Sequence, residues 1–278
     1  MHFESPLVRP FSRAHDSAMN VTALQLDIAW EDKHTNFDKI RRLMDSAAPS
    51  KNSLVVLPEM FATGFSMNDV AEVVGGETSR FIANLAGERG ICIVAGAAIR
   101  GDDGRARNCA LAYSPGGQPL VTYAKMRPFT PGGEARHYVA GQSPAALAWE
   151  GWTIALFVCY DLRFPEIFRL VTARSRPDLF VVIANWPQRR VHHWVRLLQA
   201  RAIENQAWVV GVNRCGRDPD HVYNGRTVIV DYHGELIADA GETEGWIKAD
   251  LSLDALRKYR LDVPFLDDMR SVHIDCGA

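Results

Sequence analysis

Cys159 differs from the other cysteines of this chain in its setting. It ends the apolar run WTIALFVC (152–159) and is followed at once by Tyr-Asp-Leu-Arg-Phe-Pro-Glu, polar residues and a proline suited to open a helix. A thiol at such a strand-to-helix turn stands exposed at a sheet edge, close to backbone N–H groups that favour a thiolate, and can act as a nucleophile. Two other ionisable residues hold similar places: LVVLPEM ends an apolar run with Glu59, and PLVTYAKM ends another with Lys125. Burying a carboxylate or an ammonium costs several kcal/mol unless it is paired, so charges at buried strand ends usually have a task. Taken singly, each has a plainer reading as a buried structural thiol or a solvated loop charge. The three together point to nucleophilic chemistry.

The elements that must position them follow from hydrophobic periodicity. From Val21 the chain alternates strand and helix, with VTALQLDI (21–28) as a strand and helical spacing of apolar residues over 34–47. SLVVLP (53–58) reads as a buried strand, 78–89 as a helix, and 91–99, 107–113 and 119–124 as strands. After a Gly- and Pro-rich loop (128–144), strands 146–149 and 152–159 flank Glu150–Gly151, a hairpin signal. Helices at 165–174 and 190–205 alternate with strands at 178–185 and 207–213. Strands near 225–231, 235–240 and 246–250 precede a short helix and an extended tail. Several strands are apolar on both faces, so both faces of a sheet are covered. About a dozen strands are too many for one small open sheet. The pattern predicts an α/β fold of two sheets with helices outside, a four-layer αββα sandwich, with a single α/β barrel as the runner-up.

Composition removes other classes. The chain has 278 residues, 47% hydrophobic and 23% charged, and its 31 basic and 33 acidic side chains leave a net charge of −2. That balance argues against a nucleic-acid partner or a charged membrane surface, and no apolar window is long enough to span a bilayer. The five cysteines are an odd number without a CxxC pair, which argues against a disulfide framework. Cys92, Cys109 and Cys215 read as buried structural thiols. The nine histidines form no HExxH, and adjacent His192 and His193 cannot share a helical face, so no metal is expected. Residues 1–19 carry no apolar signal segment and read as a mobile leader, or as a stretch ahead of a true start at Met19. Residues 20–278 then form one domain, with a cytoplasmic location expected.

The blocks LPEMFATGFSM, YAKMRPF and FVCYDLRFPE resemble the three catalytic blocks of the nitrilase (carbon–nitrogen hydrolase) superfamily, in the family's order Glu, Lys, Cys. The similarity extends over roughly residues 20–270 and includes VVIANWP and LLQARAIENQAWVVGVNR. Within the superfamily, MFATGFSM and ANWP look most like the omega-amidase branch, which hydrolyses the terminal amide of short dicarboxylic monoamides. The resemblance implies catalytic roles for Glu59, Lys125 and Cys159, with Glu134 as a second glutamate, and it implies no cofactor. The substrate it implies is a 2-oxo dicarboxylic acid monoamide such as 2-oxoglutaramate, split to acid and ammonia through a thioester. Glu59, held in an apolar pocket, would have a raised pKa suited to acid–base work. Lys125 and the Tyr160 backbone N–H would hold the oxyanion. The sequence departs from the family at Arg127, where histidine is common two residues after the lysine.

Arg163 lies four residues past the nucleophile, as does a carboxylate-binding arginine in related carbamoylases. It could pair with a substrate carboxylate, or form a structural bridge to Asp161 or Glu166. Phe61, Phe65, Asn185 and Trp186 would wall the pocket, unless the aromatic residues belong to the core. Arg201 and Glu204, three apart on a helix, read as an ion pair beneath the site. Apolar Ile167, Phe168, Leu170 and Val171, with the tail 263–269, suggest the paired surface of a homodimer, the alternative being a tail folded on its own subunit. The competing functions are an N-carbamoyl amino-acid or other aliphatic amidase, and a non-catalytic binding module on the same fold. Cysteine-protease chemistry would need a histidine base, and no histidine sits in a strand-end motif.

Overall fold

The computed structural model describes residues 18–270. In chain order its first strands are β1 (Ala18–Gln25), β2 (Leu54–Val56), β3 (Glu72–Val73), β4 (Cys92–Arg100), β5 (Ala106–Tyr113) and β6 (Pro119–Ala124). Next come β7 (Ala145–Trp149), β8 (Trp152–Val158), β9 (Leu179–Ala184), β10 (Trp208–Asn213), β11 (Cys215–Arg217) and β12 (Val222–Asn224). The last are β13 (Val228–Val230), β14 (Leu236–Asp239) and β15 (Gly245–Ser252). Helices α1 (Lys33–Ala47), α2 (Glu77–Arg89), α3 (Pro165–Ser175), α4 (Val191–Asn205) and α5 (Leu253–Asp262) intervene. One sheet runs β15-β1-β2-β4-β5-β6 with β3 paired to β4, and the other runs β14-β13-β10-β9-β8-β7.

The two-residue period of the strands explains the layering. In β1, Val21 and Ala23 join the core between the sheets, whereas Leu24 faces α1 and α2. In β2 and β4, Leu54, Val56, Cys92 and Val94 face the other sheet, while Val55, Ile93 and Ala95 face the helices. On the far side, α3 and α4 cover the second sheet with Ile167, Phe168, Val171, Trp194 and Leu198. The result is the αββα sandwich expected from strands apolar on both faces. The hairpin expected at Glu150–Gly151 is present: Trp149 pairs with Trp152, and both turn residues have positive φ, 48° and 80°, as a type I′ turn requires.

The structure differs from the sequence reading at several places. Strand β1 takes in Ala18 and buried Met19, so regular structure begins inside the expected leader, and residues 1–17 lie outside the described residues. Ile167, Phe168, Leu170 and Val171 are all buried within the chain, so α3 has no apolar surplus for a partner. The tail folds on its own chain through buried Leu266, a bond from Gln206 Nε2 to the Val263 carbonyl (2.7 Å) and an Arg176–Asp267 ion pair.

Phe61 also leaves its expected place. It packs between the helices and the first sheet, its ring 6.1 Å from Phe37 and 6.0 Å from Phe81, and does not reach the pocket. The cause is the tight turn before it, where Met60 has a φ of 43° and the Phe61 N–H bonds the Gly96 carbonyl. Phe61→Ala should therefore cost about 3–5 kcal/mol of stability through cavity formation, with KM for amides unchanged in the folded fraction. Denaturant melts and steady-state kinetics would check this; a selective rise in KM at wild-type stability would return Phe61 to the pocket wall.

Candidate active site

Four strand ends converge at one edge of the sandwich. Glu59 lies just beyond β2, Lys125 directly after β6, Cys159 directly after β8 and Asn185 directly after β9. Glu134 arrives from a 3-10 turn, Glu134–Arg136, in the glycine-rich loop. The Glu59 turn needs Gly96 beside it, because a Cβ there would sit 2.5 Å from both Glu59 Cα and Met60 N. Cys159 opens a 3-10 turn, Cys159–Arg163, with a φ of 48° in the left-handed region that β-carbon sterics disfavour.

The elbow is held from below. Asp161 Oδ2 accepts from Tyr123 Oη at 2.7 Å and from Val158 N at 3.1 Å, and its Oδ1 accepts from Arg127 N at 2.8 Å. One buried carboxylate thus ties the cysteine turn to the segment after Lys125. Arg201 donates to the Leu162 carbonyl at 2.7 Å and pairs with Glu204 at 2.9 Å, the structural ion pair expected from their spacing.

Glu59, Lys125 and Glu134 are all buried. Lys125 Nζ lies 3.0 Å from Glu59 Oε1 and 2.8 Å from Glu134 Oε2. Glu59 Oε1 also accepts from Asn108 Nδ2 at 2.7 Å, and Oε2 accepts from Asn185 N at 2.7 Å. The surroundings of Glu59 are therefore a ring of donors and not the apolar pocket expected. Burial opposes the charge on Lys125, but Glu134 and Glu59 outweigh it and hold its pKa above the usual lysine range. The lysine is a permanent cation.

The cysteine also corrects an expectation. Burial, with the adjacent charge of Glu59, pushes the Cys159 thiol well above its ordinary pKa, and Lys125 offsets only part of this. The resting nucleophile is a thiol beside a carboxylate, which calls for a base at the moment of attack. Cys92, Cys109 and Cys215 are buried as expected, and burial pushes each up to about 12. They have no catalytic partner.

Beside Cys159 opens a cavity of about 240 Å³, walled by Phe65, Phe129, Tyr160, Asn185 and Trp186. Arg163 lines it, its guanidinium 4.7 Å over the Trp186 ring and its Nη2 3.3 Å from His193 Nδ1. The alternative of a bridge to Asp161 or Glu166 fails, because Asp161 is taken by Tyr123 and two backbone N–H groups, and Glu166 faces Arg127 at 4.0 Å. Arg189 and Arg190 add positive charge to the cavity, and the turn between β11 and β12 adds Asp218, Asp220 and His221 to its lining. Sequence reading missed Asn108, both of these arginines and that turn. The Arg-Arg pair after the ANWP block was a visible signal, whereas β11 and β12, each only three residues long, gave none. A wider groove of about 460 Å³ lies behind the Glu134 turn, lined by Arg100, Arg136 and Tyr138, and holds none of the catalytic candidates.

Residues 20–261 match the carbon-nitrogen hydrolase family, and the chain belongs to it. The fold agrees: a CN-hydrolase superfamily protein from Xanthomonas campestris, whose structure carries an arsenic adduct in its active site, superposes with a TM-score of 0.87 at 32% identity, over 93% of this chain and 99% of that one. Among relatives, the omega-amidase YafV of Yersinia enterocolitica is 39% identical over 91% of this chain and 97% of its own length. The 2-oxoglutaramate amidase of Bacillus subtilis is 30% identical over 90% of this chain and 97% of its own.

The buried Asp161 gives a pH signature. Burial raises its carboxyl to about 6, against hydrogen bonds from Tyr123, Val158 and Arg127 that favour the ionised form. The folded chain then binds this proton more tightly than the unfolded chain, whose aspartates titrate near ~4. Stability from this group is full below the unfolded pKa and is lost as pH rises from about 4 to about 6. Asp161→Asn should gain on wild type by on the order of 2 kcal/mol across that window. Paired urea melts at several pH values would measure the difference, and a pH-independent difference would contradict the raised pKa.

Proposed function

We propose that this chain is a cysteine-dependent amidase that hydrolyses the terminal amide of a short, carboxylate-bearing 2-oxo acid of the 2-oxoglutaramate type. One observation carries this reading: the buried Glu59–Lys125–Glu134 cluster adjoins a thiol that opens onto a cavity lined by Arg163, which has no carboxylate partner among the described residues. The names of the Yersinia and Bacillus relatives support the same substrate class.

Glu59 takes the Sγ proton as sulfur attacks the amide carbon, so the thiol needs no prior ionisation. The oxyanion that forms meets Lys125 Nζ and the Tyr160 N–H, which lies in the first turn of its 3-10 helix where no intrahelical acceptor exists. Glu59 returns the proton to the departing nitrogen, ammonia leaves, and a thioester remains on Cys159. The same carboxylate then activates water to release the acid. Glu134 keeps the Lys125 ammonium aimed at the reacting carbon's oxygen through its two short contacts. Arg163, flat against Trp186, offers a paired fork to the far carboxylate.

A twofold dimer and a cytoplasmic setting are part of the proposal. Leu261, Val263 and Phe265 present apolar surface next to the folded tail, and the described cysteines are free thiols. Light scattering that finds a monomer at micromolar concentration would remove the dimer.

Ammonia release should be fastest from 2-oxo dicarboxylic acid monoamides in a panel that includes carbamoyl amino acids, neutral amides and nitriles. Preference for carbamoyl amino acids would place the chain with the carbamoylases, because Arg163 could serve their carboxylate equally. Cys159→Ala should abolish turnover, and Glu59→Gln should reduce it roughly a hundredfold or more. Arg163→Leu should raise KM for acidic amides by at least about tenfold and leave neutral short amides nearly unchanged. Equal losses on both substrate types in a folded variant would give Arg163 a structural role.

A further inference from the structure

Two carboxylates and one ammonium share a buried space, so the cluster has one negative charge too many to be balanced by Lys125 alone. Two acids that close to each other ordinarily hold a proton between them, unless other groups favour both ionised forms. One neutral side chain meets that need for both acids at once. Asn108, in β5 and buried, directs Nδ2 to Glu59 Oε1 at 2.7 Å and to Glu134 Oε1 at 2.9 Å. Its backbone carbonyl accepts from Lys125 N at 2.8 Å. A single side chain and its own backbone therefore contact all three charged residues, and Asn108 does not line the substrate cavity.

The orientation of the amide is fixed by these contacts. Reversed, it would press its oxygen against two carboxylates. As it stands, Oδ1 is buried and makes no hydrogen bond, a cost that the two N–H contacts offset. The other titratable groups that face the pair are Lys125, Cys159, Tyr138 and Tyr223. Burial, with the negative charges around them, holds both phenols far above their usual range, so they stay neutral. Lys125 and the Asn108 amide favour both ionised carboxylates from fixed positions, with the Asn185 N–H adding to Glu59 and the Phe129 N–H to Glu134.

We propose that Asn108 is a positioning residue that keeps Glu59 and Glu134 ionised together, so that Glu59 is free to receive the thiol proton. The proposal rests on the amidase reading above, in which Glu59 is the base. Without the amide, the pair would retain a shared proton to higher pH. Glu59 would then start each cycle as an acid with no capacity to accept. Glutamine could restore the donor but not its place, because its extra methylene would push into a packed strand end.

The test uses the full-length enzyme with Asn108→Leu, which keeps the branched outline and removes the donor, and Asn108→Asp, which adds a third acid. The acid limb of kcat/KM should move up by about one pH unit or more in Asn108→Leu, a loss of roughly tenfold on the acid side that recovers at high pH. KM should change little. Asn108→Asp should move the limb further and provides the result if the leucine variant fails to fold. Infrared spectra read the same proton without any substrate: a protonated carboxyl C=O band should appear in Asn108→Leu at a pH where wild type has none. That band with an unmoved acid limb would support the role of Asn108 and count against Glu59 as the base. An unmoved limb with no new band, in a variant that melts like wild type, would overturn the proposal.

Discussion

Lys125 carries a full positive charge with no access to water, and the architecture around it is arranged to make that tolerable. An ammonium taken out of water is costly unless charge and hydrogen bonds meet it at close range. Here the compensation comes from Glu59 and Glu134, which reach the lysine from different parts of the chain. The parallel strands at the centre of each sheet deliver their carboxyl-terminal ends to one edge, which is where ionisable groups from both sheets can meet. Removing any one charge would leave the others buried and unmatched, so the cluster acts as a unit in stability as well as in chemistry.

The thiol owes its state to the same cluster. Next to Glu59 at the edge of the cavity, Cys159 holds its proton, and the energy of ionisation is deferred until a substrate is in place. An exposed thiolate would react with any passing oxidant or electrophile. A half-buried thiol paired with a carboxylate is selective by design of its surroundings, because it becomes a nucleophile only as its proton leaves for Glu59.

Much of this was legible in the residues themselves. Strands such as Leu54–Val56 and Leu179–Ala184 are apolar without alternation, and that alone requires cover on both faces. The reactive groups of Glu59, Lys125 and Cys159 were marked by their places at the ends of such runs. What could not be read was the direction in which a side chain leaves a turn. Phe61 and Phe65 are four residues apart in one irregular segment, yet one lies in the helix-facing core and the other beside the cavity. Asn108 was hidden for a related reason: its importance comes from strand register, which sets Cys109 opposite Ala124 and so brings the residue before one beside the lysine after the other. The wall formed by Asp218 to His221 depends on a ribbon too short to leave a periodic signal.

The left-handed backbone at Cys159 has an evolutionary consequence. A φ of 48° is the natural home of glycine, and a side chain there costs about 1–2 kcal/mol of conformational energy. Glycine would relieve the strain and give up only the partial packing of the thiol against the core, so the reaction, more than packing, accounts for a cysteine at this position. In a gene duplicate released from hydrolysis, drift would run downhill in free energy toward glycine at this one codon, while the surrounding strand and helix stayed as they are. The identity of residue 159 is thus a record of whether a lineage still performs the reaction.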